Sequence, residues 1–389
     1  MMIQILVVVI SALVQYISAT EHQTFVLPQG TGPFKSSLTL SELIDKSRPD
    51  PFNASHARRI MISRFDPTPA SSCKLTQIPY FPPVTAAVEN EIVAEYEFPQ
   101  ILGHFELEVC AKKGNATPNR GRFPVALFSP GLNTSRLFYS SLAQEIASHG
   151  IVVITIDHPY DVDVVEFPNG DVIYGGRVTK PADANGSTAS VEHALEVRAQ
   201  DASFVLNTLG IGKQEKVVMF GQSFGGAAAA TSMLRDKRFR AGVNLDGMMF
   251  GPVLNRSLGD AKNKQAFLLW GSSGHDTTTD ETWGEFWSAL QRSPNVDYAK
   301  EMTIVSSGHG SAWDLNILVD VAGIRDGLSD TARSLVGSSI PGARVWKVLG
   351  RYLPSFFEFT LGLKDEDVVF KAPNHRFPEV EILRSLEKR

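Results

Sequence analysis

From Phe123 onward the chain alternates between short, continuous apolar runs and longer stretches whose apolar positions fall three or four apart. Phe123–Phe128, Ile151–Ile156, Val217–Phe220, Ala241–Leu245, Ala266–Trp270 and Glu301–Val305 read as strands. Ile151–Ile156 is β-branched throughout, as a strand buried on both faces requires. Between the strands, Phe138, Leu142 and Ile146 keep helical spacing, and Gly150 can end that helix. Val191, Leu195, Ala202, Val205 and Leu209 form a second helical stripe, and the Ala-rich run Phe224–Leu234 a third helix. Strands separated by helices predict an α/β fold with a mostly parallel central sheet and helices on both faces.

The flanks are patterned differently. Residues 21–90 are rich in Pro, Ser and Thr with weak periodicity, which predicts an N-terminal extension wrapping the core. Turns are expected at Asp66-Pro67-Thr68-Pro69 and Phe81-Pro82-Pro83. Residues 91–112 alternate through Ile92, Ala94 and Tyr96, then Phe105, Leu107 and Val109, and predict an antiparallel pair of strands. Residues 157–190 form a long insertion of the kind that is functional or locally structured. Near the C-terminus Trp346, Leu349, Leu353, Phe356, Phe357 and Phe359 make a stripe that suits either a core helix or an interfacial helix in transient contact with a lipid surface, with Pro354 interrupting it.

Composition narrows the class. With 43% apolar and 20% charged residues among 389, the chain is globular, and residues 21–389 are expected to form one domain. A net charge of -5 without any Lys/Arg block argues against a nucleic-acid partner. Residues 1–20 are mostly apolar from Ile3 to Ile17, broken by Gln4, Ser11 and Gln15, and end in Ser18-Ala19. This predicts a signal peptide. Sequons at Asn53, Asn115, Asn133, Asn185 and Asn255 fit glycosylation of a secreted protein. Cys73 and Cys110, the two cysteines, lie in the same N-terminal segment and are expected to pair in an oxidising compartment. Their number and spacing do not suit a metal site.

The candidate chemistry centres on Gly221-Gln222-Ser223-Phe224-Gly225. A strand, Val217–Phe220, runs directly into it, and a helix opening Gly225-Gly226-Ala227 leaves it. That is the context of a nucleophile elbow, in which a sharp strained turn exposes a serine oxygen and small residues let strand and helix approach. The loop after an earlier strand, Phe128-Ser129-Pro130-Gly131-Leu132, suits a second oxyanion donor, so the N–H groups of Leu132 and Phe224 are the candidate oxyanion hole. In this arrangement an acid and then a histidine follow the serine. His309, in Ser306-Ser307-Gly308-His309-Gly310, lies just after the last core strand and is the candidate base. His275 is placed to line the pocket and His375 to lie on the surface. Asp246 and Asp276 both follow strand ends, and spacing alone does not choose between them as the acid. Phe138, Tyr139, Tyr160, Phe250, Trp270, Trp283 and Trp313 are available either to the core or to an apolar acyl pocket.

Several of these stretches, taken in order, resemble the platelet-activating-factor acetylhydrolases, α/β-hydrolases, and within them the secreted fungal members. They are Phe128–Leu132, Leu137–His149, Gly150–Val153, Asp157-His158-Pro159-Tyr160, Gly221–Gly226 and Asn244-Leu245-Asp246-Gly247. The resemblance spans about residues 90–320. It implies a serine esterase that removes a short acyl chain from the sn-2 position of a phospholipid, without calcium or any other cofactor. It implies Ser223, Asp246 and His309 as the triad and Leu132 and Phe224 as oxyanion donors. The chain departs from the family's usual pattern at Pro130 and Gln222, where histidine is common, which bears on substrate selectivity. A small-molecule ester or phospholipid is therefore the expected partner, with a general carboxylesterase or cutinase-like hydrolase as the alternative.

Overall fold

The computed structural model describes residues 23–111, 123–212, 215, 217–256, 258, 264–337 and 339–388. The chain begins with β1 (Phe25–Val26) and a long hairpin, β2 (Phe34–Pro49) and β3 (Ala57–Pro69), followed by β4 (Leu75–Pro79), helix α1 (Pro83–Ala94) and β5 (Phe105–Cys110). The alternating part comprises β6 (Val125–Ser129), α2 (Ser140–Ser148), β7 (Val152–Asp157), the small hairpin β8 (Val164–Glu166) and β9 (Val172–Tyr174), then α3 (Ala189–Thr208). It continues with β10 (Val217–Gln222), α4 (Phe224–Arg235), β11 (Phe239–Leu245), β12 (Gln265–Ser272), α5 (Glu281–Arg292) and β13 (Val296–Ile304). Helices α6 (Asp314–Val321), α7 (Asp330–Val336) and α8 (Gly342–Thr360) lead to the last strand, β14 (Val380–Glu387).

Nine strands form one sheet in the order β14-β13-β12-β11-β10-β6-β7-β3-β2. The six strands from β13 to β7 are mutually parallel, and the edges are closed by antiparallel β14 and by the β2–β3 hairpin. The period-2 rule of a strand divides the core. In β10, Val218 and Phe220 face a cluster with α2, α6 and α8, while Val217 and Met219 face one with α3, α4 and α5. The mostly parallel sheet with helices on both faces is thus the α/β architecture expected from the alternating runs.

The flanks differ from expectation. Residues 34–69 do not wrap the core as an extension but add two strands to the sheet, and Asp66–Pro69 continues β3 instead of turning. β7 pairs with β3 only as far as Phe65, so Pro67 and Pro69 need no ladder donor on that side. Residues 91–94 belong to helix α1, whose buried Thr85, Ala86, Glu89 and Val93 keep helical spacing and whose Pro83 sits at the first position, where a missing N–H costs nothing. Only the second half of the expected strand pair forms, as β5, and its antiparallel partner is β4. The C-terminal stripe becomes α8, with Leu349, Leu353, Phe356 and Phe357 buried beneath the sheet, and the helix runs through Pro354. Of the two readings of this stripe, the core helix is the one that forms, and its apolar face is covered by the sheet and not left for a lipid surface. Among the described residues no helix is long and apolar enough to cross a membrane.

Cys73 and Cys110 form a disulfide that ties the entry of β4 to the end of β5. Closing a 37-residue separation restricts the unfolded chain. The double variant Cys73→Ser/Cys110→Ser is expected to lose about 2–4 kcal/mol of stability, read as a lower guanidinium midpoint. Reduced wild-type protein should fall to the same midpoint. The expected signal peptide, residues 1–20, lies outside the described residues.

Candidate active site

The strand ends position the site. β10 and β11 are parallel neighbours with Gln222 opposite Leu245, so Ser223 and Asp246 leave the sheet side by side. The Ser223 N–H donates to Leu245 O at 2.8 Å. Ser223 takes φ +54° and ψ −124°, a conformation that a side chain rarely adopts, and α4 begins at the next residue. Two glycines permit this turn. A Cβ on Gly225 would lie 1.9 Å from Ser129 O, and one on Gly221 would lie 2.3 Å from the Gly225 carbonyl. The start of α4 therefore rests directly on the loop after β6. Phe224, the first residue of α4, carries an N–H with no acceptor within the helix.

Asp246 also has positive φ, +62°. Asn244 holds the following residue on both sides, accepting from Gly247 N at 2.8 Å and donating to Gly247 O at 2.6 Å. The Trp283 indole donates to the same carbonyl at 2.6 Å. The carboxylate is thereby aimed across the strand ends. Its Oδ2 accepts from His309 Nδ1 at 2.7 Å. Its Oδ1 accepts from Ser272 N at 2.6 Å and from His275 Nδ1 at 2.8 Å. Burial works against the Asp246 charge, but the bonds from His275, His309 and the Ser272 N–H outweigh it and hold the carboxyl well below the usual range. The His309 side chain is 55% exposed against 9% for Asp246, so the imidazole is open to solvent while the carboxylate that contacts it is not.

Of the two candidate acids, then, Asp246 meets His309. Asp276 lies in an exposed turn, where its Oδ1 accepts from Thr278 N at 2.7 Å and Thr278 Oγ1 at 2.5 Å. Gln222 sits beneath the imidazole. Its Oε1 accepts from Tyr139 Oη at 3.0 Å and Trp313 Nε1 at 2.9 Å, which turns its Nε2 to donate to His309 O at 3.0 Å. His375 is exposed. Trp270, Trp283, Phe138 and Tyr139 are core residues, whereas Tyr160, Phe250 and Trp313 are partly exposed, as is Leu132. Asn185 and Asn255 are exposed, Asn53 and Asn133 partly buried, and Asn115 lies outside the described residues. Among the described residues no group of three or more His, Cys, Asp or Glu could hold a metal ion.

A buried polar network that sequence reasoning missed supports the candidate oxyanion loop. Arg198, on α3, is fully buried. Its guanidinium donates to the backbone carbonyl of Pro130, to Gly131 O at 3.1 Å and to Ser129 Oγ at 3.0 Å, and pairs with Asp161. The same group lies 4.6 Å from the centre of the Phe224 ring. Ser129 Oγ is 3.0 Å from His158 Nε2, and His158 Nδ1 is 2.9 Å from Asp201, which also pairs with Arg58. Burial lowers the His158 basicity, against the opposing pull of Asp201. Ser129–His158–Asp201 thus repeats the connectivity of a triad, yet all three are sealed from solvent and serve as scaffold. A signal did exist: Arg198 and Asp201, three apart, interrupt an otherwise apolar helical stripe.

Residues 80–163 and 194–322 match the family described as platelet-activating factor acetylhydrolase, isoform II. A probable 1-alkyl-2-acetylglycerophosphocholine esterase of Arthroderma benhamiae is 38% identical over 94% of this chain and 96% of its own length. The chain belongs to this family. It is accordingly a carboxylic ester hydrolase. Other members are more distant: the platelet-activating factor acetylhydrolase of Cavia porcellus is 29% identical over 37% of this chain and 39% of its own. Among solved structures, a ferulic acid esterase from Streptomyces cinnamoneus shares the fold, with TM-score 0.70 at 23% identity, covering 92% of this chain and 99% of that one.

Proposed function

We propose that the chain is a secreted serine esterase that removes short sn-2 acyl groups from phospholipids of the platelet-activating-factor type. The reading is carried by the Asp246–His309 contact of 2.7 Å beside a serine held at φ +54°. The names of the relatives supply the substrate class. The apolar N-terminal run and the disulfide fit an oxidising, extracellular compartment.

In this mechanism Asp246 fixes the His309 tautomer with the proton on Nδ1, leaving Nε2 as the base. His309 takes the Ser223 proton as Oγ bonds to the ester carbonyl carbon. The carbonyl oxygen becomes an oxyanion, received by the N–H groups of Leu132 and Phe224 at the positive end of α4. Collapse breaks the bond to the glycerol oxygen, which leaves with the proton from His309. Water, deprotonated by His309, then splits the acyl-serine and releases the short-chain acid. No step requires a cofactor.

The test is turnover of p-nitrophenyl esters from acetate to palmitate, together with a phosphocholine lipid carrying either acetyl or palmitoyl at sn-2. Turnover confined to the short chains, on esters and phospholipid alike, is expected. Rates that climb with chain length would replace this reading by a lipase- or cutinase-like one.

A further inference from the structure

We propose that His275 is a second, positioning histidine of the site, an imidazolium bridging Asp246 and Asp280 that locks the Asp246 carboxylate toward His309 and offsets part of its charge. The inference rests on the esterase reading above and deepens it.

The geometry leaves His275 little freedom. Its Nδ1 lies 2.8 Å from Asp246 Oδ1 and its Nε2 2.9 Å from Asp280 Oδ2. An imidazole bridging two carboxylates must donate at both nitrogens, and only the cation can do so. The ring also rests against Trp283 at 4.3 Å between centres, and Trp283 is the residue that fixes Gly247 next to Asp246. Burial opposes the charge on His275, but the hydrogen bonds to Asp246 and Asp280 outweigh it and push the pKa up to about 9. Asp246 follows β11 and Asp280 caps α5, where Glu281 occupies the first turn. Asp276 is adjacent in the same loop but bonded to Thr278, and Glu301 on β13 is taken by Thr277 and Arg384. The two bridging carboxylates are those in direct contact with the ring.

Two consequences follow for catalysis. First, Asp246 stands at a strained backbone position, and its Oδ2 reaches His309 only while Oδ1 is held; Ser272 N and His275 hold it. Second, a fixed positive charge behind Asp246 opposes accumulation of a second positive charge on His309. Removing that charge is therefore expected to move the acid limb of kcat/KM to higher pH.

The experiment is the pH dependence of kcat/KM for wild type, His275→Asn, His275→Ala and Asp280→Asn on the best short-chain ester. His275→Asn keeps a donor to Asp246 but no charge. His275→Ala removes both. Asn at 280 still caps α5 but cannot keep His275 charged as well. The acid limb is expected to move to higher pH by about one unit in both His275 variants, and by less in Asp280→Asn. kcat should fall roughly tenfold in His275→Ala and be largely restored by Asn, with KM unchanged. Fluorophosphonate labelling of Ser223 and a cooperative melt establish that each variant is folded. Acid limbs that coincide with wild type in labelled, folded variants would overturn the inference and leave the esterase reading standing. A wild-type protein that neither turns over esters nor is labelled would instead remove that reading, and this inference with it.

Discussion

Ser223→Ala is expected to reduce ester turnover by roughly 10⁵-fold or more, the scale seen when a triad nucleophile is deleted from a serine hydrolase. The loss should fall on kcat, because in the proposed mechanism Oγ alone forms the bond to the carbonyl carbon, while ester binding is untouched. Labelling by a fluorophosphonate should vanish in parallel. Stability should not suffer. Ser223 is held at φ +54°, which costs on the order of 1–3 kcal/mol for a residue with a side chain, and alanine at that position bears the same strain. Glycine does not, so Ser223→Gly should be as inactive as the alanine variant yet melt at higher temperature. The pair of variants therefore separates chemistry from strain. Residual turnover above about 1% in Ser223→Ala would mean that another group attacks the ester and would displace Ser223 from the centre of the mechanism.

What the sequence made legible was the part governed by local rules. Parallel strands buried on both faces are continuous apolar runs, so β6, β7, β10, β11 and β12 could be located directly. The elbow was legible because strand, small residues and helix must all fall within a few positions of Ser223. The β2–β3 hairpin was not, because its pattern is written by partners far away. β3 carries Arg58, Arg59, Arg64 and Asp66, and the buried Arg58 is satisfied by Asp50 and by Asp201, 143 residues on. Such a strand shows no apolar alternation. Helix α1 is not legible as a helix, because Ile92, Ala94 and Tyr96 alternate over a span too short to tell a period of 2 from 3.6. The stripe of α8 was amphipathic as read, but periodicity does not say whether a lipid or a sheet covers the apolar face. The same limit hid Arg198: an arginine in an apolar stripe is anomalous, and only the fold reveals that it reaches the loop beside Ser223.

That arginine carries the second large expectation. In a trans peptide the C=O and the following N–H point in opposite directions. By accepting from Arg198, the Gly131 carbonyl commits the Leu132 N–H to point away from the guanidinium, and the Pro130 carbonyl does the same for Gly131 N–H, which reaches Tyr139 Oη at 3.4 Å. Arg198 thus sets the direction of the proposed oxyanion donor without touching the substrate. Arg198→Met fills much of the space but holds neither carbonyl, and kcat is expected to fall roughly 10²–10³-fold, the loss associated with one oxyanion donor, with KM little changed. It also strands Asp161 as a buried, unpaired carboxylate, which costs about 3–5 kcal/mol. Arg198→Met/Asp161→Asn removes that charge and should recover most of the stability. Activity should stay low in the double variant, because the loop carbonyls remain unheld. Recovery of kcat together with stability would show that Arg198 acts only by keeping the fold intact, and that the loop after β6 finds its catalytic direction without help.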